Sequence, residues 1–417
     1  MLGAERAAEP PGRVVVVGAS VCGVRTAQAL RREGFAGQIV LVGEEQEPPY
    51  DKPPLSKQYL TGSYSETKLR LLTFDAASSL GVEMRLGTAA TGLDVAGHRL
   101  HLSDTSSLDY GACVIATGAS ARPSPWTART GVHLLRTRAD SDRLRSSLRP
   151  GRSVVVVGGG FIGAEVAAGA TALGCLVSVV DPLPSPASRV VGDDVGALLG
   201  TVHARHGVAT RFGVGVASLE GAEGQIDVGL TDGSTLRADL AVVGIGAIPN
   251  DAWLASSGLP IDDGLLCDEF CRAVDAHRVF CAGDVARWLH VGYGDTTRVE
   301  HWTNAVEQAA CVAHNIAHPE NLRPHRPVEY VWSDQYDWKI QVVGRPDRGE
   351  AHHLVGDPDQ TPPRWAALFA GEGGRLVGAV TVNWPRASVD CRRLTASGAG
   401  IAAAMASVSQ LAAPARH

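Results

Sequence analysis

Two stretches of the chain share one pattern of apolar and polar positions. The first has four consecutive valines at 14–17, a glycine-rich turn from Gly18 to Gly23, a helical periodicity, and an apolar segment over 38–42 that ends close to Glu44. An unbroken β-branched run is typical of a parallel strand that is buried on both faces. Strand, turn, helix and strand together predict a βαβ unit whose helix N-terminus receives the pyrophosphate of a dinucleotide.

The second stretch repeats this pattern about 140 residues later. It has valines at 154–157, a turn from Gly158 to Gly163, a helix, and an apolar segment over 176–180 that ends at Asp181. The final acids follow the last glycines of their turns by 21 and 18 residues, near the spacing of about 20 for a ribose-binding carboxylate. The alternative interpretation is that only one stretch is a dinucleotide site and the other is an accidental glycine cluster. The recurrence of all the features in order favours two dinucleotide sites.

The rest of the chain predicts the other elements of these units and a third domain. Apolar segments end in small-residue turns at 112–118, 240–246 and 279–284, and residues 300–302 open a helix that runs to about Ala317. The last 90 or so residues are richer in tryptophan and contain apolar strands, and the tail at 396–417 is helical or frayed. The predicted fold class is α/β, with two Rossmann-like dinucleotide-binding domains and a C-terminal α+β domain. The predicted boundaries are 1–122 with 248–325 for the first domain, 123–247 for the second and 326–417 for the third.

Composition and charge narrow the class of protein. The chain has 417 residues, of which 45% are hydrophobic and 20% charged, with a formal net charge of −6. This balance is that of a globular protein, and the negative charge argues against nucleic acid or an anionic membrane as a general partner. The first 12 residues lack the apolar core of a signal peptide, and no run of about 18 apolar residues marks a membrane span. A cytoplasmic location is therefore expected.

Cysteines and arginines give two further candidates. Eight cysteines are present, and the only close pair, Cys267 and Cys271, has a C-x-x-x-C spacing that fits neither a redox C-x-x-C motif nor a zinc site. Reduced, buried thiols are expected, and no metal site is predicted. Seven arginines lie within 129–152 beside Asp140 and Asp142. This segment is either a docking face for an acidic partner or, as such runs more often are, a solvated helix face.

These motifs together carry a family resemblance. The chain resembles flavin-dependent pyridine-nucleotide reductases with two dinucleotide-binding domains. Among them, it is similar to the NADH-dependent ferredoxin reductases that supply Rieske dioxygenases and haem monooxygenases of the cytochrome P-450 type. The resemblance extends from Val14 to about Leu394, and its motifs lie at 17–23, 49–57, 116–118, 158–165, 244–250, 281–284, 300–308 and 332–337.

The resemblance implies an FAD site in the first repeat. Glu44 would bind the adenosine ribose, Asp284 the ribityl chain, and Trp302 would lie beside the isoalloxazine. The helix that Trp302 opens would point its positive end at the flavin and stabilise the anionic reduced form. Ser20, which replaces the middle glycine of the turn, is small enough for the pyrophosphate to approach. The implied FAD-binding residues are Gly18, Ser20, Val21, Cys22, Gly23, Glu44, Lys52, Lys57, Ala116, Thr117, Gly118, Asp284, Glu300, His301 and Trp302.

The resemblance also implies an NADH site in the second repeat. Glu165 corresponds to a glutamate near the nicotinamide, where it can pair with Lys57. A carboxylate at Asp181 accepts from a ribose 2′-hydroxyl and repels a 2′-phosphate, so NADH should be preferred over NADPH. The implied nucleotide-binding residues are Gly158, Gly160, Phe161, Ile162, Gly163, Glu165, Asp181 and Gly246.

The expected reaction moves electrons from NADH through FAD to a 2Fe–2S ferredoxin that serves an oxygenase. Lys57, Glu165 and Trp302 would position and tune the reacting groups, and the enzyme would be a monomer or homodimer. The proline-rich loop at 48–57 has no cysteine, unlike the corresponding region of disulfide reductases of this fold, so no protein disulfide should carry the electrons. The 129–152 segment, Arg298 and Arg323 are candidate ferredoxin contacts. The alternatives are a rubredoxin, nitrite or monodehydroascorbate reductase, an NADH oxidase, or a flavin-based redox signalling protein.

Overall fold

The computed structural model describes residues 10–128 and 130–412. Arg129 of the arginine segment, residues 1–9 and the tail residues 413–417 lie outside the described residues. The chain divides into two compact units. The first unit comprises Met1–Lys52, Glu66–Ser120 and Ala247–Pro327, and the second comprises Pro53–Ser65, Ala121–Gly246 and Val328–His417. Residues 53–65 thus group with the second unit, although the domain prediction assigns them to the first.

The helices are numbered in chain order. Their bounds are α1 Val21–Arg32, α2 Glu66–Leu69, α3 Phe74–Ser79, α4 Arg138–Ser147, α5 Phe161–Ala172, α6 Ser188–Val191, α7 Asp193–Arg205, α8 Trp302–Ala317, α9 Pro385–Ala396 and α10 Ile401–Ala412. Short 3₁₀ turns occur at Pro53–Ser56, Ala252–Leu254, Pro346–Arg348 and Glu372–Gly374. Among the described residues, no helix has the length and apolar character needed to cross a bilayer.

The strands are numbered in the same way. In the first half of the chain they are β1 Arg13–Val17, β2 Gln38–Val42, β3 Val82–Arg85, β4 Ala90–Asp94, β5 Arg99–Leu102, β6 Ser107–Asp109, β7 Ala112–Ile115, β8 Ala119–Ala121, β9 Val132–His133, β10 Ser153–Val157, β11 Leu176–Asp181 and β12 Ala209–Phe212. In the second half they are β13 Val216–Ala222, β14 Gln225–Leu230, β15 Thr235–Ala238, β16 Leu240–Val243, β17 Ala247–Pro249, β18 Leu265–Cys267, β19 Val279–Cys281, β20 Ala286–His290, β21 Asp295–Arg298, β22 Tyr330–Gln335, β23 Trp338–Gly344, β24 Ala351–Asp357, β25 Arg364–Ala370 and β26 Leu376–Val382.

A parallel sheet forms the centre of the first unit. Its order is β19-β7-β1-β2-β3, and the four valines of β1 are buried in the middle of it. Helices α1 and α8 pack together on one face through residues such as Val24, Leu30 and Val312. Three-stranded sheets, β4-β5-β6 and β18-β20-β21, complete the unit. This arrangement confirms the buried parallel strands that the apolar runs predict.

The second unit contains the equivalent sheet. Its order, β12-β11-β10-β16-β9, places the valine strand β10 between β11 and β16, as β1 lies between β2 and β7. The internal repeat in the sequence therefore corresponds to a repeat in the topology, and both Rossmann-like sheets are confirmed. An antiparallel sheet, β13-β14-β15, packs against one face.

The C-terminal segment of the second unit is built on a five-stranded antiparallel sheet, β22-β23-β26-β25-β24. Along β25, Trp365 and Ala367 face a core that includes Leu199 of α7, whereas Leu368 faces a core with Cys391 of α9. Burial of both faces explains why this strand is almost continuously apolar instead of alternating. The predicted α+β character is confirmed, and the described part of the predicted tail contains α10.

Candidate cofactor sites

Steric constraints require the glycines of the first turn. Gly18 adopts φ +114°, and a Cβ there would collide with the carbonyl oxygen of Ala116. A Cβ at Gly23 would collide with the carbonyl oxygen of Gly18. Ser20 is the extended N-cap residue of α1, and its side chain makes no capping hydrogen bond. The first N–H groups of the helix are therefore left for a ligand, which is the arrangement that a pyrophosphate requires.

Three predicted segments of the first unit meet at one edge of its sheet. Val17, Ile115 and Cys281 are aligned in register at the carboxyl ends of β1, β7 and β19. The turns that follow these strands contain Gly18, the segment 116–118 and Asp284, so the structure brings these predicted residues together. A crevice at the carboxyl ends of parallel strands is the usual ligand site of such sheets.

Two helices begin beside this edge. A Cβ at Gly283 would lie 3.3 Å from the Cβ of Cys22 and 3.7 Å from that of Ala305, so the turn before Asp284 lies between the first turns of α1 and α8. Among the described contacts, neither helix has a side-chain cap at its N-terminus. The positive ends of both helix dipoles are thus directed to the same region, which favours an anionic ligand.

The remaining predicted residues of the first unit surround this region. The indole Nε1 of Trp302 donates to Asp51 Oδ1 at 2.8 Å, so the orientation of the ring is fixed from the loop after β2. Lys52 lies 3.4 Å from Glu45 Oε1. His301 is the N-cap residue of α8. The others are Glu44, which is exposed beyond β2, the first-turn residues Val21 and Cys22 of α1, and Glu300, which pairs with Arg298.

The second glycine turn has the same steric requirements. A Cβ at Gly158, which adopts φ +111°, would collide with the carbonyl oxygen of Gly244, and one at Gly163 would collide with that of Gly158. At Gly160, the N-cap residue of α5, a Cβ would meet no protein atom within 4 Å. The protein itself would therefore tolerate a side chain at this position, and the open space there is compatible with the close approach of a ligand. The exposed residues at this edge are Gly160, Ile162 and Gly246, with Phe161 half-buried.

Asp181 has a role in the structure that its position in the sequence does not reveal. Its carboxylate accepts from the backbone N–H of Gly159 at 2.6 Å and from that of Leu183 at 2.8 Å. The residue is only 8% exposed. It therefore holds the glycine turn to the end of β11, and its remaining lone pairs are what a nucleotide ribose could use.

A buried ion pair lies in the second unit. Lys57 Nζ is 2.7 Å from Glu165 Oε2, which also accepts from the hydroxyl of Ser56, while Glu165 Oε1 accepts from Ser333 Oγ at 2.7 Å. Glu165 is 3% exposed. Burial raises the pKa of Glu165, whereas Lys57 and the two hydroxyl groups lower it in opposition. The predicted pairing of Lys57 with Glu165 is thus present, within a network that fixes both side chains.

Sequence reasoning missed the partners of this pair. Ser333 and Gln335 are buried on the same face of β22, and Gln335 Nε2 donates to Ser333 Oγ at 3.1 Å. Two polar residues two positions apart on a strand were the available signal, because residues i and i+2 share a face. Ser56 lies within the 49–57 motif, but nothing in the local sequence predicted its contact with Glu165.

The candidate ferredoxin contacts differ in exposure. The Arg298 side chain is 13% exposed, and Asp263 and Glu300 bind its guanidinium, which leaves little of it for a partner. Arg145 and Arg149, on and just after α4, are exposed, as is Arg323 in the first unit. Other arginines of the segment are paired, such as Arg152 with Glu223 at 2.9 Å.

All eight cysteines lie within the described residues and are free thiols. Cys267 and Cys271 are buried, and burial raises the pKa of both thiols well above its usual value. Thiols held neutral in this way are poor nucleophiles. Seven of the eight cysteines, including Cys267 and Cys271, are buried as expected, and Cys311 is partly exposed.

Comparisons with known proteins agree with this architecture. Residues 12–309 match the family described as pyridine nucleotide-disulphide oxidoreductase, and residues 330–412 match the reductase C-terminal family. Rhodocoxin reductase of Rhodococcus erythropolis is 34% identical over 92% of this chain and 89% of its own length. The ferredoxin–NAD(+) reductase component of the anthranilate 1,2-dioxygenase system of Burkholderia cepacia is 37% identical over 92% of this chain and 94% of its own length.

A solved structure gives the same result. The reductase in the covalent putidaredoxin reductase–putidaredoxin complex superposes with a TM-score of 0.88 at 32% identity, over 93% of both chains. The two family matches together span both glycine turns, Lys57, Glu165 and the C-terminal sheet. The chain therefore belongs to the pyridine nucleotide-disulphide oxidoreductase family, in the group of ferredoxin reductases that serve oxygenase systems.

Proposed function

We propose that this enzyme uses NADH to reduce a bound FAD and delivers the electrons to a 2Fe–2S ferredoxin, which in turn supplies a haem monooxygenase or a Rieske dioxygenase. The observation that carries the proposal is the presence of two sterically required dinucleotide turns in a chain whose 48–57 loop has no thiol. Without a redox disulfide after the first turn, the electrons have to leave the flavin for an external acceptor. The relatives named above are reductases of a rhodocoxin and of a dioxygenase system.

The first unit would hold the flavin as FAD. The first turn has the shape needed for a pyrophosphate, which FAD contains and FMN lacks. Glu44, exposed after β2, would accept from the adenosine ribose. Asp284, between the starts of α1 and α8, would accept from the ribityl chain. These groups support FAD as the form that binds.

The chemistry divides between cofactor and protein. A bound flavin would accept two electrons from NADH and release them one at a time to an iron–sulfur partner. The N-terminus of α8 stabilises negative charge in its vicinity, because its first N–H groups and its dipole point outward. Trp302, fixed by Asp51, provides a flat apolar surface beside that helix start. No side chain of the protein has to act as a general acid with a strongly shifted pKa in this scheme, and the one proton released overall can pass to solvent.

The second unit would hold NADH. The open space at Gly160 allows a pyrophosphate close to the start of α5. The Lys57–Glu165 pair would fix the carboxamide end of the nucleotide, since both side chains are already held in one geometry. Asp181 keeps a negative charge at the end of β11, which disfavours a 2′-phosphate and supports NADH over NADPH.

The test is anaerobic electron transfer to defined acceptors. The purified enzyme should reduce a 2Fe–2S ferredoxin at the expense of NADH, and much more slowly with NADPH. Ferricyanide measures flavin reduction without a docking requirement. Fast ferricyanide reduction with no ferredoxin reduction, but with rapid transfer to rubredoxin, or to oxygen in a separate aerobic assay, would replace the proposed partner. Failure with every acceptor would contradict the proposal as a whole.

A further inference from the structure

Glu33, His314 and His318 form a cluster in the first unit, at the end of the α1–α8 pair that lies away from the cofactor region. His314 Nδ1 is 3.0 Å from Glu33 Oε2, and His318 Nε2 is 3.2 Å from the same oxygen. One ligand atom from each residue lies within 4.8 Å of the other two. The two histidines are four positions apart on α8 and its C-cap, so they present their rings on one side of the helix.

The far nitrogen of His314 has a hydrogen-bond acceptor, and that of His318 lies near a carboxylate at a distance too long for a hydrogen bond. His314 Nε2 lies 2.9 Å from the carbonyl oxygen of Asn321. A carbonyl can only accept, so Nε2 carries a proton. Nδ1 faces the Glu33 carboxylate, with which it shares a proton in the metal-free protein, and a bound cation would take the place of that proton. His318 Nδ1 is 3.8 Å from Glu320 Oε1. Histidines that bind metals characteristically donate their second ring N–H to a carbonyl or a carboxylate.

The spacing of the three ligand atoms suits a small cation. Zinc–nitrogen and zinc–oxygen bonds of about 2.0–2.1 Å in a tetrahedral site separate neighbouring ligands by about 3.3 Å. The two distances to Glu33 are slightly shorter than this, and all three ligand atoms lie within 4.8 Å of one another, so that side-chain adjustments could bring them around one ion. The His314 side chain is 6% exposed, whereas those of His318 and Glu33 are 36% and 33% exposed. One side of the cluster is therefore open to solvent, which can supply the fourth ligand.

The helix dipoles favour positive charge at this place. Glu33 is the C-cap residue of α1, and His318 is the C-cap residue of α8. The negative ends of both helix dipoles thus meet at the cluster, where they favour a cation. Zinc binds imidazole and carboxylate ligands of this kind more readily than magnesium or calcium does.

We propose that Glu33, His314 and His318 bind a zinc-class divalent ion that fastens the C-terminal ends of α1 and α8. These helices have 12 and 16 residues and extend about 18 and 24 Å from their N-terminal ends. The ion therefore lies far from the flavin and stabilises the helix pair without taking part in electron transfer. Positions 33 and 314–318 are too far apart along the chain to form a metal-binding sequence motif, which is why no metal site could be predicted from the sequence.

The test uses the untagged, flavin-loaded protein after treatment with EDTA and removal of the chelator. Calorimetric titration with ZnCl₂ should give one site, and one equivalent of Zn²⁺ should raise the melting temperature. His318→Ala and Glu33→Gln should each weaken binding at least about tenfold, as loss of one ligand interaction worth 1.4 kcal/mol or more. His318→Asp should restore much of the affinity, because a carboxylate is also a zinc ligand. The matched control is His101→Ala, an exposed histidine on β5 outside the cluster.

The outcomes separate the proposal from its competitors. NADH–ferricyanide turnover should be the same with and without Zn²⁺, because the site is structural. Far-ultraviolet circular dichroism and flavin content check that the variants are folded.

No stoichiometric binding to the parent protein would mean that the cluster holds only a proton between carboxylate and imidazole. Binding that His101→Ala and His318→Ala weaken equally would mean adventitious surface histidines. Either result overturns the assignment and leaves the proposed reductase function unaffected.

Discussion

The two glycine turns have the same backbone but use their surroundings differently. In both, a glycine after a valine strand has a φ above +110°, and the last glycine contacts the carbonyl of the first. In the first unit, the acid after β2, Glu44, is exposed. In the second unit, Asp181 is buried and accepts from its own glycine turn. The comparison teaches that two acids at similar positions after a glycine turn can have different roles, since Glu44 is exposed to a ligand and Asp181 first stabilises the turn.

A second difference lies in the helices. Seven residues after the first glycine of each turn, α1 has Arg25, which donates to Gln28 on the same helix at 2.8 Å. At the same place, α5 has the buried Glu165 with its lysine partner. The turn is therefore a common scaffold, and the charged residue on the following helix makes the two sites chemically distinct.

The largest expected effect comes from removing the lysine partner of Glu165, the residue that distinguishes the second site from the first. Lys57→Met should lower the free energy of unfolding by about 3–5 kcal/mol, because it leaves Glu165 buried without a counter-charge. The double variant Lys57→Met/Glu165→Gln should recover part of this loss. Urea unfolding of both variants measures the difference, and equal destabilisation of the two would contradict the role of the charge.

The same variant gives a pH dependence with a definite sign. Burial already raises the pKa of Glu165, and removal of Lys57 takes away the strongest opposing influence. The folded state then binds more protons than the unfolded state between the unfolded and folded pKa values of this residue, so stability falls as pH rises through that window. Lys57→Met should therefore lose stability relative to the parent as pH rises above about 4.5, near the ordinary pKa of glutamate.

The next largest effect comes from glycine substitutions that distinguish the flavin-binding turn from the NADH-binding turn. Gly23→Ala should cost about 3 kcal/mol through overpacking against the Gly18 carbonyl, and the protein should lose flavin. Gly163→Ala should have a similar cost but should retain flavin and lose reduction by NADH. Gly160→Ala is the matched control, since its Cβ meets no protein atom; it should fold normally and weaken NADH binding only. Loss of flavin in Gly163→Ala would reverse the assignment of the sites.

A smaller effect is expected from substitution of the two acids, Asp181 and Glu44. Asp181→Ala removes the acceptor of two backbone N–H groups and should raise the KM for NADH by about tenfold or more, at about 2 kcal/mol for charged hydrogen bonds. It should not create efficient use of NADPH, because the turn itself is loosened. Glu44→Ala should weaken flavin retention by only about 1 kcal/mol. A clean exchange of NADH for NADPH preference in Asp181→Ala would show that the carboxylate acts only on the ribose.

The smallest effect concerns partner docking on the two units. Charge reversal of Arg145 and Arg149 in the second unit should raise the KM for ferredoxin about two- to fivefold at low salt, as exposed charges contribute about 0.2–1 kcal/mol. Arg323→Glu makes the same test in the first unit. Arg237→Glu, with an 85% exposed side chain on β15, is the control. Ferricyanide turnover should stay constant in all of them, and a parallel loss would exclude a docking role.

The sequence was sufficient where the determinants are local. Valine runs, glycine turns and the spacing to an acid are properties of single βαβ units, so both sheets and the turns at Gly18 and Gly158 could be predicted. The helix that starts at Trp302 was predicted in the same way. These features follow from backbone sterics and strand periodicity.

Non-local contacts were the part that the sequence could not supply. Ser333 reaches Glu165 from a strand 168 positions away in the chain, and His314 reaches Glu33 across 281 positions. Asp181 occupies the predicted place, but its use by Gly159 depends on a turn geometry that only the folded chain reveals. Contacts of this kind depend on how whole helices and strands pack together, and the periodicity of a single segment does not predict them.

The most direct test of the proposed function is an anaerobic titration of the purified protein in which the absorbance spectrum is recorded after each addition. One equivalent of NADH should bleach the visible flavin bands quickly, NADPH should do so slowly, and subsequent addition of oxidised ferredoxin should restore the flavin spectrum as the ferredoxin is reduced. A protein without bound flavin, or a flavin that neither nucleotide bleaches, would contradict the claim that the two glycine turns form the sites of one electron-transfer enzyme.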